Sequence, residues 1–144
     1  MVSLSAPANN QKLQLILEQA GKLDDAAINL AEVALAMAAY DNPLVSADIS
    51  LERYRNHIKL MVEEVAARHA LLLKEGAEDN AATQLAALKH ILADKYDYRG
   101  DTETYDDLQN VNLIRVIERR KGMPIAISLL YLHVGLAQGW ALAA

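Results

Sequence analysis

Residues 119–144 read RRKGMPIAISLLYLHVGLAQGWALAA, a basic cluster, a glycine, and then a proline that opens a long apolar run. Arg119, Arg120 and Lys121 suit the end of a helix, where cations face the negative end of the backbone dipole. Gly122 stops that helix and Pro124 starts the next. Proline has no N–H to leave unpaired in a first turn, and its φ is already helical. The new helix is expected to run to about Gln138, with Gly139 closing it. The sequence ends five residues later, at Ala144.

The composition of the whole chain agrees with helices. Hydrophobic residues make up 53% of the 144 residues, but aromatics only 5%, and phenylalanine is absent. A core built from Leu, Ile, Val and many Ala lets helices approach closely. Only three prolines and six glycines interrupt them. The length suits one domain with a sizeable core. The net charge of −5 argues against a nucleic-acid partner, whose phosphates need clustered Lys and Arg, and no helix carries such a stripe. The absence of cysteine removes disulfides, thiolate metal sites and cysteine nucleophiles together. MVSLSAPANNQ lacks the charged start and apolar core of a secretory signal, and no apolar run reaches the length of a membrane span. A cytoplasmic protein with no membrane partner is expected.

Working back from Arg119, the pattern predicts five further helices and no internal repeat. Residues 1–9 read as a flexible leader, and residues 10–144 as a single helical domain. The first helix covers about Asn10 to Ala20, with Leu13, Ile16, Leu17 and Ala20 on one face. Asp24 caps a second, DAAINLAEVALAMAAY, which is apolar on nearly every side and is expected to be buried centrally. Asn42-Pro43 breaks it. Ser50 caps a third, with Tyr54, Ile58, Met61, Val65 and Ala66 inward, closed by Gly76. A fourth runs from about Asn80 to Asp94 on Leu85, Leu88 and Ile91. The polar loop KYDYRGDTETYDDLQ follows, and Asn110 is placed to cap the short helix VNLIRVIERRK. No strand is expected, except among the few residues after Gly139.

The polar residues offer several chemistries, each with a plainer reading. Arg115, Arg119, Arg120 and Lys121 could meet an anion, but their place at a helix end already accounts for them. Asp97, Asp101, Glu103, Asp106 and Asp107 fail the alternation of a calcium loop, since Gly100 stands fourth from Asp97 rather than sixth, so a solvated acidic loop is expected and no metal. His57, His69, His90 and His133 show no zincin spacing. Ser128 has no Gly-x-Ser-x-Gly elbow, and Ser128 and His133 are five apart on one helix and do not face each other. No cofactor motif is present.

The segment YRGDTETYDD followed by NVNLIRVIERRKGMPIAISLLYLHVGLAQG resembles the SirB-type branch of the transglutaminase-like superfamily. That branch has an aromatic-x-Gly loop, a tyrosine five residues after the glycine, and an Asn-capped helix ending in Arg-x-Gly-Ile-Pro-Ile. The matching positions are Tyr98, Gly100, Tyr105, Asn110, Arg120, Gly122, Met123, Pro124 and Ile125. Tyr98 stands where Phe is usual and Met123 where Ile is usual. The helical part from about Asp24 looks like the same family's lead-in. In active relatives, the resemblance implies, a nucleophilic cysteine follows the Gly-x pair and opens a buried helix that ends at a glycine about fifteen residues on. Here Pro124 holds that place and Gly139 is the closing glycine.

The resemblance further implies a fold of which this chain is the helical half. In the family, β-strands follow the core helix, the first with a Gly-His-Phe motif that carries the catalytic histidine. No such motif occurs here, and His133 lies inside the helix. An all-α chain of about six helices is expected, resembling part of an α+β domain. A face of the last helix drawn from Ile127, Leu130, Tyr131 and Val134 is then left without its sheet, which predicts self-association or rearranged helices. The implied function is a non-catalytic, protein-binding or regulatory module in a bacterial cytoplasm. The alternatives are a helical self-association module, or a hydrolase or peptidase using Ser128, His133 and the acidic loop.

Overall fold

The computed structural model describes residues 14–15, 17–19, 29–40, 50–104 and 106–141. Five α-helices follow in order: α1 (Leu30–Tyr40), α2 (Ser50–Lys74), α3 (Ala81–Lys89), α4 (Leu113–Arg119) and α5 (Pro124–Ala137). Residues 14–15 and 17–19 belong to a further helix, described only in part. A π turn, His90–Lys95, continues α3, and a 3-10 turn, Leu108–Val111, precedes α4. Two strands of two residues each, β1 (Arg99–Gly100) and β2 (Lys121–Gly122), pair in parallel with Arg99 opposite Lys121.

Local chemistry sets most of these boundaries. The Asn29 side chain accepts the Glu32 N–H at 3.0 Å at the start of α1, and Asn80 accepts the Thr83 N–H at 3.0 Å at the start of α3. Each satisfies a donor that the first turn leaves orphaned. Gly76 and Gly139 follow α2 and α5 with φ of +104° and +84°, the left-handed exit that favours glycine. Asn112, not Asn110, caps α4, its side chain accepting the Arg115 N–H at 3.2 Å. Asn110 is drawn instead into the 3-10 turn, two residues earlier, and is fully buried there. The expected start of the second helix at Asp24 and its break at Asn42-Pro43 lie outside the described residues, as do the leader, Leu13, Ile16, Ala20, Tyr105 and residues 142–144.

The core is aliphatic, as the composition requires. Leu35, Leu51, Met61, Val65, Leu92, Ile114, Val116, Leu130 and Val134 are fully enclosed. Several expectations of burial are corrected. The small face of α1 (Ala31, Leu35, Ala36, Ala38, Ala39) is buried, but Leu30, Met37 and Tyr40 are exposed, so the helix is covered on one side only. Ala66 and Leu85 face solvent. On α5, Leu130 and Val134 are buried by the chain's own helices, while Ile127 and Tyr131 are half-buried. Leu130 and Val134 are therefore core rather than an open face, since α1, α2 and α3 all pack on α5. Trp140 and Ala141, just beyond α5, form no strand. The Trp140 ring lies edge-on to His69, with centroids 4.9 Å apart.

Candidate functional site

The chain enters α5 across a very close approach. A Cβ on Gly122 would lie 2.7 Å from Val116 Cγ2 and 3.0 Å from the Asn110 carbonyl oxygen. Only glycine fits there. The Asn110 carbonyl accepts the Met123 N–H at 3.0 Å, so the turn before α4 is bonded to the residue that precedes α5. Pro124 then takes the first helical position and is exposed, and its neighbour Ile125 is 73% exposed. A Cβ on Gly100, by contrast, would meet nothing within 4 Å, so sterics do not demand glycine at that position.

Behind this junction lies a buried polar knot. Asn110 Nδ2 donates to the Thr104 carbonyl at 2.8 Å, and Arg119 donates to Asn110 Oδ1 at 3.0 Å. Arg119 also pairs with Asp101 at 3.0 Å. Asp101 accepts the Glu103 and Thr104 N–H groups, each at 3.0 Å, and the Thr104 hydroxyl. The Thr104 bonds, then Glu103 and Arg119, hold the Asp101 carboxyl well below the usual carboxylate range. The acidic loop is thus not uniformly solvated: Asp101 turns inward and pins it to α4. Among the described residues, no three His, Asp or Glu side chains are placed to hold a metal.

The basic run does not form a patch. Arg115 pairs with Glu118 at 3.2 Å, Arg119 with Asp101, and Lys121 reaches Glu103 at 4.0 Å. Arg120 differs. It sits in the left-handed region, φ +62°, at the cap of α4, where glycine is the common choice. An L-residue there costs about 1–2 kcal/mol. Its guanidinium lies 5.3 Å from the Tyr96 ring centroid and 5.1 Å from that of Tyr98, and one terminal nitrogen is 3.1 Å from His57 Nε2.

Tyr98 is buried, with its hydroxyl 2.7 Å from the same His57 nitrogen. Burial first, and Arg120 second, push the His57 pKa down to about 4. Burial also raises the Tyr98 hydroxyl, and burial and then Glu64 push Tyr96 up to about 12. Tyr96 donates to Glu64 at 2.7 Å, and Glu64 takes Lys95 as well. Arg53, Tyr54, His57, Ile117, Glu118 and Arg120 line a cleft of about 460 Å³ beside this cluster.

Of the positions singled out in the sequence, Tyr98, Gly100, Asn110, Arg120, Gly122 and Pro124 therefore lie along the loop and the two short strands that join the π turn to α5, while Gly139 lies at the far end of that helix. Ser128 is exposed and His133 half-buried, its pKa lowered by burial, and the two make no hydrogen bond to each other. His57, Tyr96, Glu64 and Arg53 are not legible as site residues in the sequence. They come from α2 and from the residue that closes the π turn, and Arg120 is 63 residues from His57 in sequence, so no local spacing signals the contact.

A second concavity, an open groove of about 830 Å³, is lined by Ala34, Met37 and Ala38 of α1 and by Leu108, Val111 and Arg115. Leu108 is 83% exposed, Met37 57% and Val111 56%.

The family model described as "Transglutaminase-like superfamily" matches residues 52–144, which include all of the cleft and the α5 junction. F-box only protein 21 of Homo sapiens is 30% identical over 122 residues, covering 75% of this chain and 19% of that protein. A UPF0162 protein of Vibrio cholerae serotype O1 is 30% identical over 121 residues, covering 81% of this chain and 39% of that protein. The chain spans about a fifth of the length of the F-box relative it matches. No solved structure matches it.

Proposed function

This chain belongs to the transglutaminase-like superfamily, and from that premise we propose that it is a non-catalytic member that acts by binding protein. The observation that carries the reading is Pro124. It is the first residue of α5, the place where the resemblance puts a nucleophile, in a chain with no cysteine. Proline keeps the helix start and supplies no attacking atom. The test is release of ammonia from a glutamine-containing peptide by the purified chain. None above buffer is expected, before or after Pro124→Ala. Turnover that disappears with Ser128→Ala and His133→Gln would establish a hydrolase instead.

The groove between α1 and the 3-10 turn supports the binding half of this reading. Three large apolar side chains stand open at one concavity, and apolar surface of that kind marks contact with other molecules. The same surface favours a second reading, in which a second copy of the chain is the partner. Light scattering across a dilution series separates the two: a mass that falls with dilution selects self-association, and a constant monomer mass selects a different protein.

A further inference from the structure

We propose that the cleft lined by Arg53, Tyr54, His57, Ile117, Glu118 and Arg120 binds the oxyanion group of a small ligand, a carboxylate or a phosphate, on the guanidinium edges of Arg120 and Arg53. This inference does not rest on the protein-binding reading.

Charge is the first support. Among the described residues, neither Arg53 nor Arg120 has a carboxylate partner. Every other arginine of α4 is paired with an acid. The one carboxylate in the cleft, Glu118, is already engaged: it takes the Tyr54 hydroxyl at 2.5 Å on one oxygen and Arg115 at 3.2 Å on the other. The cleft therefore holds two uncompensated cations and an acid turned to other donors.

Geometry is the second. Two tyrosine rings lie beside Arg120, their centroids 5.3 Å and 5.1 Å from the guanidinium carbon, and they attract the cation without consuming its charge. A guanidinium presents five donors in a rigid fork that matches carboxylate and phosphate oxygens. Of its five N–H groups, those that meet His57 Nε2 and the Tyr98 hydroxyl are engaged, which leaves the others for a ligand. Arg120 can only donate, so His57 offers its single Nε2 lone pair, shared with the Tyr98 hydroxyl at 2.7 Å, and carries its proton on Nδ1. Neutral His57 is thus a parking place for one arm of Arg120. It is not a competing charge. The left-handed backbone at Arg120 adds to this, since a strained position held by a large cation is where a functional constraint is expected.

The groups facing His57 are Arg120, Tyr96, Tyr98 and Glu64, with Arg53, Tyr54 and Glu118 across the cleft. An anion on Arg120 offsets the cation that helps keep His57 neutral and draws its donor away. Ligand binding should therefore raise the His57 titration point. A merely structural Arg120 would not produce that coupling.

The experiment is an NMR titration of the full chain at low ionic strength with inorganic phosphate and, separately, with succinate, following the His57 ring and the arginine side chains. Expected are saturable shifts in at least one arm, and a His57 pKa that rises from about 4 as the anion saturates. Arg53→Gln and Arg120→Gln should each weaken binding by about tenfold or more, and Arg120→Lys should restore part of it. Saturation by phosphate alone points to a phosphorylated ligand and by succinate alone to a carboxylate. No saturable response to either anion overturns the proposal. So does binding that Arg53→Gln leaves unchanged, a variant on an exposed side chain that keeps the test sound if Arg120→Gln fails to fold.

Discussion

Gly122 shows how one residue can be fixed by two neighbours at once. A methyl group there meets Val116 Cγ2 at 2.7 Å and the Asn110 carbonyl at 3.0 Å, and neither is the free end of a flexible chain. Gly122→Ala should destabilise by about 1–3 kcal/mol, the range for forcing extra volume into a packed site. Val116→Ala removes the nearer obstacle, so the alanine at 122 should cost less in that background. A double-mutant cycle in urea reads the coupling directly; equal costs in both backgrounds would place the strain elsewhere. Gly100→Ala, with open space around it, is the control and should change stability by less than about 0.5 kcal/mol.

His57 makes the stability of the chain depend on pH. Its folded pKa is about 4, against 6.5 when unperturbed. Above that unperturbed value the ring is neutral in both states and contributes no pH dependence. As pH falls below it, the unfolded chain gains a proton that the folded chain refuses, so stability drops until about pH 4, where the folded ring protonates too. His133, lowered by burial, contributes in the same direction. Asp101 and Glu64 have lowered pKa values, so their contributions fade only below their ordinary 3.8 and 4.5. Urea midpoints at pH 7 and pH 5 should therefore differ, by less in His57→Gln and least in His57→Gln with His133→Gln. An unchanged difference would mean that His57 is solvated.

Among the elements, the caps carry both the best and the worst of what the sequence discloses. Pro124, Gly139, Gly76 and Asn80 act locally, and each sits where its own stereochemistry or side chain puts it. Asn110 and Asn112 stand two residues apart, and either could cap α4 by composition. Tertiary structure decides between them, because Asn110 has Arg119 and Thr104 to satisfy while Asn112 reaches back to the Ala38 carbonyl at 3.2 Å. Asn112→Ala should thus cost about 1 kcal/mol for the cap and somewhat more for the lost tie to α1. Asn112→Asp keeps the cap but not the amide donor, and its denaturation midpoint should fall between those of the wild type and Asn112→Ala. The two short strands leave no trace in the sequence. A strand of two residues has no alternation to detect, and its pairing depends on Arg99 and Lys121 being brought together by the turns on either side.

In the molecule as a whole, the helical architecture follows from composition and punctuation, whereas the site does not. Arg120 is visible in the sequence as one cation of a basic run. What singles it out is that its neighbours find acids and it finds a histidine and two tyrosines, a contrast that exists only once α2 and the π turn pack beside α4. The outer surface is hard to read for a related reason. Hydrophobic residues on α5 suggest an open face, yet α1, α2 and α3 cover Leu130 and Val134, and open apolar side chains remain both at the groove, on Met37, Leu108 and Val111, and on α5, at Ile125 and Leu136. Two surfaces are therefore candidates for the proposed contact: the half-buried Ile127 and Tyr131 on α5, and the groove. Leu108→Glu and Met37→Glu change exposed side chains and should leave the urea midpoint within about 0.5 kcal/mol of the wild type. If the groove is the contact, Leu108→Glu should abolish concentration-dependent mass in light scattering, and Tyr131→Ser should leave it in place. The reverse pattern would return the contact to α5. Leu130→Glu cannot serve in that comparison, because a carboxylate buried without a partner would unfold the chain before any interface was tested.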